Sequence, residues 1–241
     1  MLVILGLLAG GIMAGQALIR AAELRSVAAG FARYETAVYA FRDKYFALPG
    51  DITNATAIWG KDTTSAAACA GQSGNAATPG TCNGNGDGYV LNSGTYEIWR
   101  LWQHLSLAGL VEGNYAGTQA NWGTNATPGT DMPAGRIGKS GYMLWAEANT
   151  NSEFAWTDLV FIRNMIIFGS ATGGWTNGGV VSSVEAWNID TKLDDGLPGQ
   201  GKVWTGATTS GCVTTTASAT AQYVISGSNS TLLHCIMGKL L

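Results

Sequence analysis

Residues 1–50, MLVILGLLAGGIMAGQALIRAAELRSVAAGFARYETAVYAFRDKYFALPG, decide the architecture. Leu24, Val27, Phe31, Tyr34, Val38, Phe41 and Tyr45 recur at alternating spacings of three and four, the period of one helix face. Arg20, Glu23, Arg25, Arg33, Glu35, Arg42 and Lys44 fall on the other faces, and Pro49 with Gly50 stops the pattern just beyond Ala47. Upstream, residues 1–19 carry no charge at all. The sequence therefore predicts one rod of roughly 46 residues and about 70 Å, apolar all round in its first half and on one side in its second.

Those halves need different surroundings. A helix of about 19 residues spans about 29 Å, the thickness of bilayer hydrocarbon, so the first half suits lipid or copies of itself. The seam of the second half suits a globular domain. A cleaved signal peptide fits less well, because it would open on a basic stretch and close at a small-residue cleavage site, whereas here the helical pattern runs on. Gly6 with Gly10 and Gly11 with Gly15 have the GxxxG spacing that lets helix backbones approach closely in apolar surroundings. Each glycine costs about 1 kcal/mol against alanine in a helix interior, which predicts a weak point near Gly10 and Gly11. The residues expected to pack between copies are Leu2, Ile4, Leu5, Gly6, Leu8, Gly10, Gly11, Ile12, Gly15 and Leu18.

Composition narrows the classes. Of 241 residues, 46% are hydrophobic and only 12% charged, and mean hydropathy is +0.11, which is too apolar for a disordered chain. The 34 glycines with 5 prolines mark turns rather than low complexity. A net charge of −3 with no basic cluster after the first fifty residues gives duplex nucleic acid no footprint, so no nucleic-acid partner is expected.

Beyond Asp51 a stretch rich in Thr, Ala, Asn and Gly runs to about Asn92 with little periodicity, longer than ordinary loops and so either functional or pinned by crosslinks. Cys69, Cys82, Cys212 and Cys235 supply an even count with three possible pairings. Zinc is the rival use, but no CxxC occurs and His104 and His234 are the only histidines. Residues 94–111, GTYEIWRLWQHLSLAGLV, read as an amphipathic helix. YMLWAEA at 142–148, NMIIFGS at 164–170 and QYVIS at 222–226 read as strands. Helix first and strands later predict an α+β fold: a long helix, its amphipathic half laid on an antiparallel sheet, with long disulfide-pinned loops.

Asn83, Asn85 and Asp87 alternate before Gly88, the spacing with which a calcium loop presents oxygens, and Glu97 is placed to close such a shell. Position twelve from Asn83 is Gly94, so no complete EF-hand exists, and an Asn-Gly turn capping the next helix is the competing reading. Asp190, Asp194 and Asp195 form a second acidic group, at a Gly-Pro-rich turn, that suits Ca²⁺. Trp122, Trp156, Trp175 and Trp204, in polar context, fit either core packing or stacking on sugars. For catalysis there is neither GxSxG, P-loop nor HExxH, both histidines sit among apolar residues, and no enzyme is expected.

The run VILGLLAGGIMAGQALIRAAELRSV, continuing through TAVYAFRDKYFALPGD, resembles the type IV pilin and type II secretion pseudopilin superfamily with its prepilin-type cleavage and methylation segment. AWNIDTKLDDGLPGQG from Ala186 to Gly201 is similar to a motif of its larger members. The resemblance implies a subunit that waits in the bacterial inner membrane and then joins a helical extracellular or periplasmic filament. Its partners are copies of itself and the pilus or secretion assembly machinery. Family members begin with a short basic leader, a Gly before the processing site, a Phe or Met that becomes the methylated N-terminus, and a Glu a few residues in. None of these lies upstream of Met1, so processing and methylation fall on no residue here. Sequence proximity and the family's C-terminal loop favour Cys69 with Cys82 and Cys212 with Cys235, each bridge worth roughly 3 kcal/mol in the chain-entropy model. Major pseudopilins bind calcium, which adds weight to Ca²⁺ without placing its ligands. The expected division is a filament-core helix over 1–22, its amphipathic continuation over 23–48 and a head over 49–241. A pilus subunit, a secretion pseudopilin and a pilin-anchored adhesin that binds glycans are the three functional expectations.

Overall fold

The computed structural model describes residues 2–63, 69, 75–77, 79–91, 97–117, 126–148, 154, 156–158, 162–172, 175–206 and 211–241. The side chains of 2, 3, 5–9, 76, 147, 148, 172, 175 and 177 lie outside that description. In chain order the elements are α1 (Leu2–Tyr45), α2 (Ala55–Trp59), β1 (Lys61–Asp62), β2 (Ala76–Ala77), α3 (Glu97–Leu107), β3 (Ser140–Ala148), β4 (Ile162–Thr172), β5 (Trp175–Gly178), α4 (Ser183–Leu193), β6 (Val203–Thr205) and β7 (Met237–Leu240). The fold is α+β, as the sequence predicts.

α1 is a single helix of 44 residues, continuous through Gly10 and Gly11, so the predicted weak point leaves the helix unbroken. It ends two residues short of Ala47. Phe46 turns into the left-handed region at φ 54 and Gly50 follows at φ 89, which reverses the chain onto α3. A Cβ on Gly50 would stand 2.6 Å from the Glu97 carbonyl, so only glycine fits where the two elements meet.

The main sheet is antiparallel in the order β3-β4-β7-β6, with β5 pairing to the far end of β4. Tyr142 pairs with Phe168 and Leu144 with Ile166, which sets these four side chains on one face, and Phe31 and Tyr34 of α1 pack on that face. Met165 and Ile167 point the other way into a smaller cluster with Phe154, Trp156, Trp204 and Leu240. Covering on both faces is why NMIIF reads as a continuous apolar run. α3 lies against α1 with Trp102 edge-on to Tyr34 at 5.0 Å between ring centres.

Three expectations need correction. QYVIS is not a strand: only Tyr223 pairs, through an isolated bridge to Val213. The predicted 94–111 helix is shorter, Glu97–Leu107, with residues 94–96 outside the described set. Asp190 lies within a helix rather than a turn, because α4 occupies Ser183–Leu193. The signal for α4 is its capping box. Ser182 accepts from the Glu185 amide and Glu185 accepts from the Ser182 amide, which satisfies two otherwise orphaned donors.

Both disulfides form as expected, Cys69 with Cys82 and Cys212 with Cys235. Beneath the first lies a buried polar chain. Gly50 N–H donates to His104 Nδ1 at 2.9 Å, which leaves the imidazole proton on Nε2 to donate to Thr81 at 2.8 Å. Thr81 donates in turn to Gln103, whose amide donates to the Gly80 and Ala116 carbonyls, and Arg100 pairs with Asp62 beside it. Burial, with the Arg100 charge adding, pushes His104 down to about 3. His104 is therefore a neutral strut that fastens the disulfide loop to α3 and to the end of α1.

Candidate functional site

Three arrangements bear on function: the first half of α1 and two acidic loops. The seam of α1 is buried from Val27 through Phe31, Tyr34 and Val38 to Phe41. Between Gly10 and Arg20 the large apolar side chains face solvent, with Ile12 at 59% exposure, Met13 at 66%, Leu18 at 72% and Ile19 at 63%. Ile4, Gly10 and Gly11 are also exposed and Gly15 is half-buried. A Cβ added at Gly10, Gly11 or Gly15 would meet nothing within 4 Å, so no tertiary contact inside this chain explains these glycines. The side chains of Leu2, Leu5, Gly6 and Leu8 lie outside the described residues. Among the described residues no helix is long and apolar enough to cross a membrane, so the expected membrane span gains no support here.

At the border of the two halves, Arg20 makes a bidentate pair with Glu185 at 2.6 and 2.7 Å and donates to the Val180 carbonyl. Glu185 is thus both the capping residue of α4 and its link to α1 at Arg20. Burial pushes Glu185 up, but the bonds from Arg20 and Ser182 outweigh it and hold the carboxyl below its ordinary value. Sequence reading misses this pair because 165 residues separate its members.

In the first acidic loop the carboxylates of Asp51, Asp87 and Glu97 lie within 4.8 Å of one another. Asp51, absent from the sequence-based set, is its centre. Its Oδ1 accepts from Gly86 at 2.6 Å and Asp87 at 3.1 Å, and its Oδ2 accepts from Gly88 at 2.9 Å. Burial raises its pKa against those amide bonds. Glu97 accepts from Asn85 and Leu91 backbone amides, and Asp87 accepts from Tyr89. Asn85 bonds to Asp87, and Asn83 accepts from the Thr56 amide. Asn164 of β4 fixes the loop's far side through Val90 and Gly88. The oxygen donors suit a hard cation, and each of the three carboxylates already accepts at least one backbone N–H bond.

The second loop brings Asp190, Asp194 and Asp195 within the same 4.8 Å. Asp190 is fully buried, accepts from Tyr223 at 2.9 Å and from the Gly196 amide, and is pushed up to about 7. Burial is the main cause, and its two acidic neighbours add to it. Asp194 accepts from the Lys202 and Val203 amides and Asp195 from Leu197. Trp156 and Trp204 are buried against each other, which makes them core rather than sugar platforms. Trp122 and the Trp175 side chain lie outside the described residues. Compared with models of known protein families, with curated proteins and with solved structures, the chain matches none.

Proposed function

We propose that the protein is the structural subunit of a type IV pilus-like filament, assembled by packing the first half of α1 against the same segment of neighbouring copies. One observation carries the reading: a continuous 44-residue helix buries its second half in the head and leaves Ile12, Met13, Leu18 and Ile19 in solvent. Contiguous exposed apolar surface of this kind needs a cover, and other subunits provide it. The exposed glycines, spaced for close helix approach and unexplained inside the chain, support the same arrangement. Before assembly, lipid of a bacterial inner membrane is the proposed shelter for the uncharged residues 1–19; after it, the copies shelter one another in an extracellular or periplasmic filament. A type II secretion pseudopilus uses the same packing and differs in length and place. The role is assembly rather than turnover, and calcium at either acidic loop is an accessory in this reading.

The test is negative-stain microscopy of surface filaments followed by peptide sequencing of their subunit. Finding this chain as the repeating component supports the proposal. A protein that purifies without detergent as a monomer, with residues 1–19 intact, contradicts it.

A further inference from the structure

A groove of about 440 Å³ runs between α1 and the segment at 134–136, and Arg25, Arg33 and Arg136 line it. All three arginines are exposed. Among the described residues neither Arg25 nor Arg136 has a carboxylate at ion-pair distance, and Arg33 has only the exposed Glu112 at 3.5 Å. The acids that share this stretch of α1 are engaged elsewhere, Glu23 by Arg20 and Glu35 by Lys239. Three positive charges against one loosely held negative charge leave an excess of two in a chain whose net charge is −3. The three charges give the groove a local positive field that attracts anions, and a dianion balances the excess.

The floor supplies shape rather than charge. Tyr142 and Tyr34 are buried there, and the Tyr142 hydroxyl is spent on the Ser26 and Val27 carbonyls. Gly30 admits that ring, since a Cβ would stand 2.2 Å from the hydroxyl. Across the Ala134–Gly135 backbone a second hollow of about 450 Å³ is lined by Lys139 and Ser140. Ser140 is 1% exposed and its Oγ has no hydrogen-bond partner, but it lines this second hollow and not the arginine groove.

We infer that this groove binds a phosphoryl dianion through Arg25, Arg33 and Arg136. Planar guanidinium forks match phosphate oxygens two at a time, and a phosphate group has enough oxygens for three of them where a carboxylate has two. The proposal is independent of filament assembly. The phosphate can come from a soluble ester or from a lipid headgroup.

The full chain in detergent micelles is titrated calorimetrically with inorganic phosphate, with acetate as comparison. Wild type binds phosphate; R25Q/R136Q and R136Q alone weaken it, the double variant by at least about tenfold, with unchanged thermal midpoints. R42Q, outside the groove, leaves it unchanged. Flotation with phosphatidylcholine vesicles, with and without phosphatidic acid, then identifies the source. Extra flotation with phosphatidic acid that R25Q/R136Q abolishes marks a lipid headgroup, and its absence alongside phosphate binding marks a soluble ester. No binding of phosphate at about 10 mM, binding by R25Q/R136Q within about twofold of wild type, or equal binding of acetate overturns the inference.

Discussion

Asp51 gathers the amides of Gly86, Asp87 and Gly88 around one buried carboxylate, so a single side chain shapes the loop that sequence spacing marks as a calcium site. Asp51→Ala orphans the Gly88 amide and takes one of two acceptors from Gly86, which keeps the Asp51 carbonyl, and from Asp87, which keeps Asn85; it costs about 1–3 kcal/mol in denaturant unfolding. Because amides already occupy these oxygens, a chelator leaves the thermal midpoint of wild type unchanged if the loop is held by them alone; a fall on chelation shows that a metal contributes. Asp190 and His104 impose opposite pH dependences. Asp190 rises from about 4 to about 7 on folding, so its contribution is full below about pH 4 and is lost as pH rises through 7. His104 falls from 6.5 to about 3, so its contribution is full above about pH 6.5 and is lost as pH falls toward 3. Between pH 4 and 6.5 the two offset each other. Asp190→Asn, which keeps an acceptor for Tyr223, removes one slope, and its thermal midpoint climbs with pH across that interval more steeply than wild type does. An equal or shallower climb contradicts the assignment. The spacing of Asn83, Asn85 and Asp87 was legible as a turn, but Asp51 was not, since its partners lie 35 to 37 residues away along the chain.

α1 was legible because seven apolar residues keep its period and only Pro49 and Gly50 interrupt it. β3 and β4 were legible for a different reason: their runs of aromatic and branched residues are long and bounded by turn formers. α4 was obscured by Val184, Ile189 and Thr191, which favour strands, and its capping box is the local signal that outweighs them. Ser182→Ala removes that box and costs about 1 kcal/mol, measured by thermal unfolding. QYVIS misleads because Tyr223 is committed to Asp190, a tertiary contact that overrides local strand preference. The Cys212–Cys235 bridge joins elements as well as residues: Cys235 exchanges backbone bonds with Val181 before α4, and the Cys212 carbonyl accepts from Ser183. Cys212→Ala with Cys235→Ala is expected to cost about 2–5 kcal/mol in denaturant unfolding and to loosen α4 first in hydrogen exchange.

At the scale of the whole molecule, the proposed assembly has one helix serving two environments, with Arg20 and Glu185 at the boundary between them. The head closes its core without the first half of α1, since the buried cluster of the helix begins at Val27. Leu18→Glu or Ile12→Glu therefore leaves the unfolding free energy within about 0.5 kcal/mol of wild type. Either change abolishes filaments in micrographs, because a charge buried among apolar helices has no partner. The most direct measurement is electron cryomicroscopy of the assembled filament. The account predicts that residues 2–19 of neighbouring copies lie at the centre with their axes about 8–10 Å apart, close enough for side chains to interlock. Filaments in which these segments stand apart from one another, with the heads alone in contact, would contradict it.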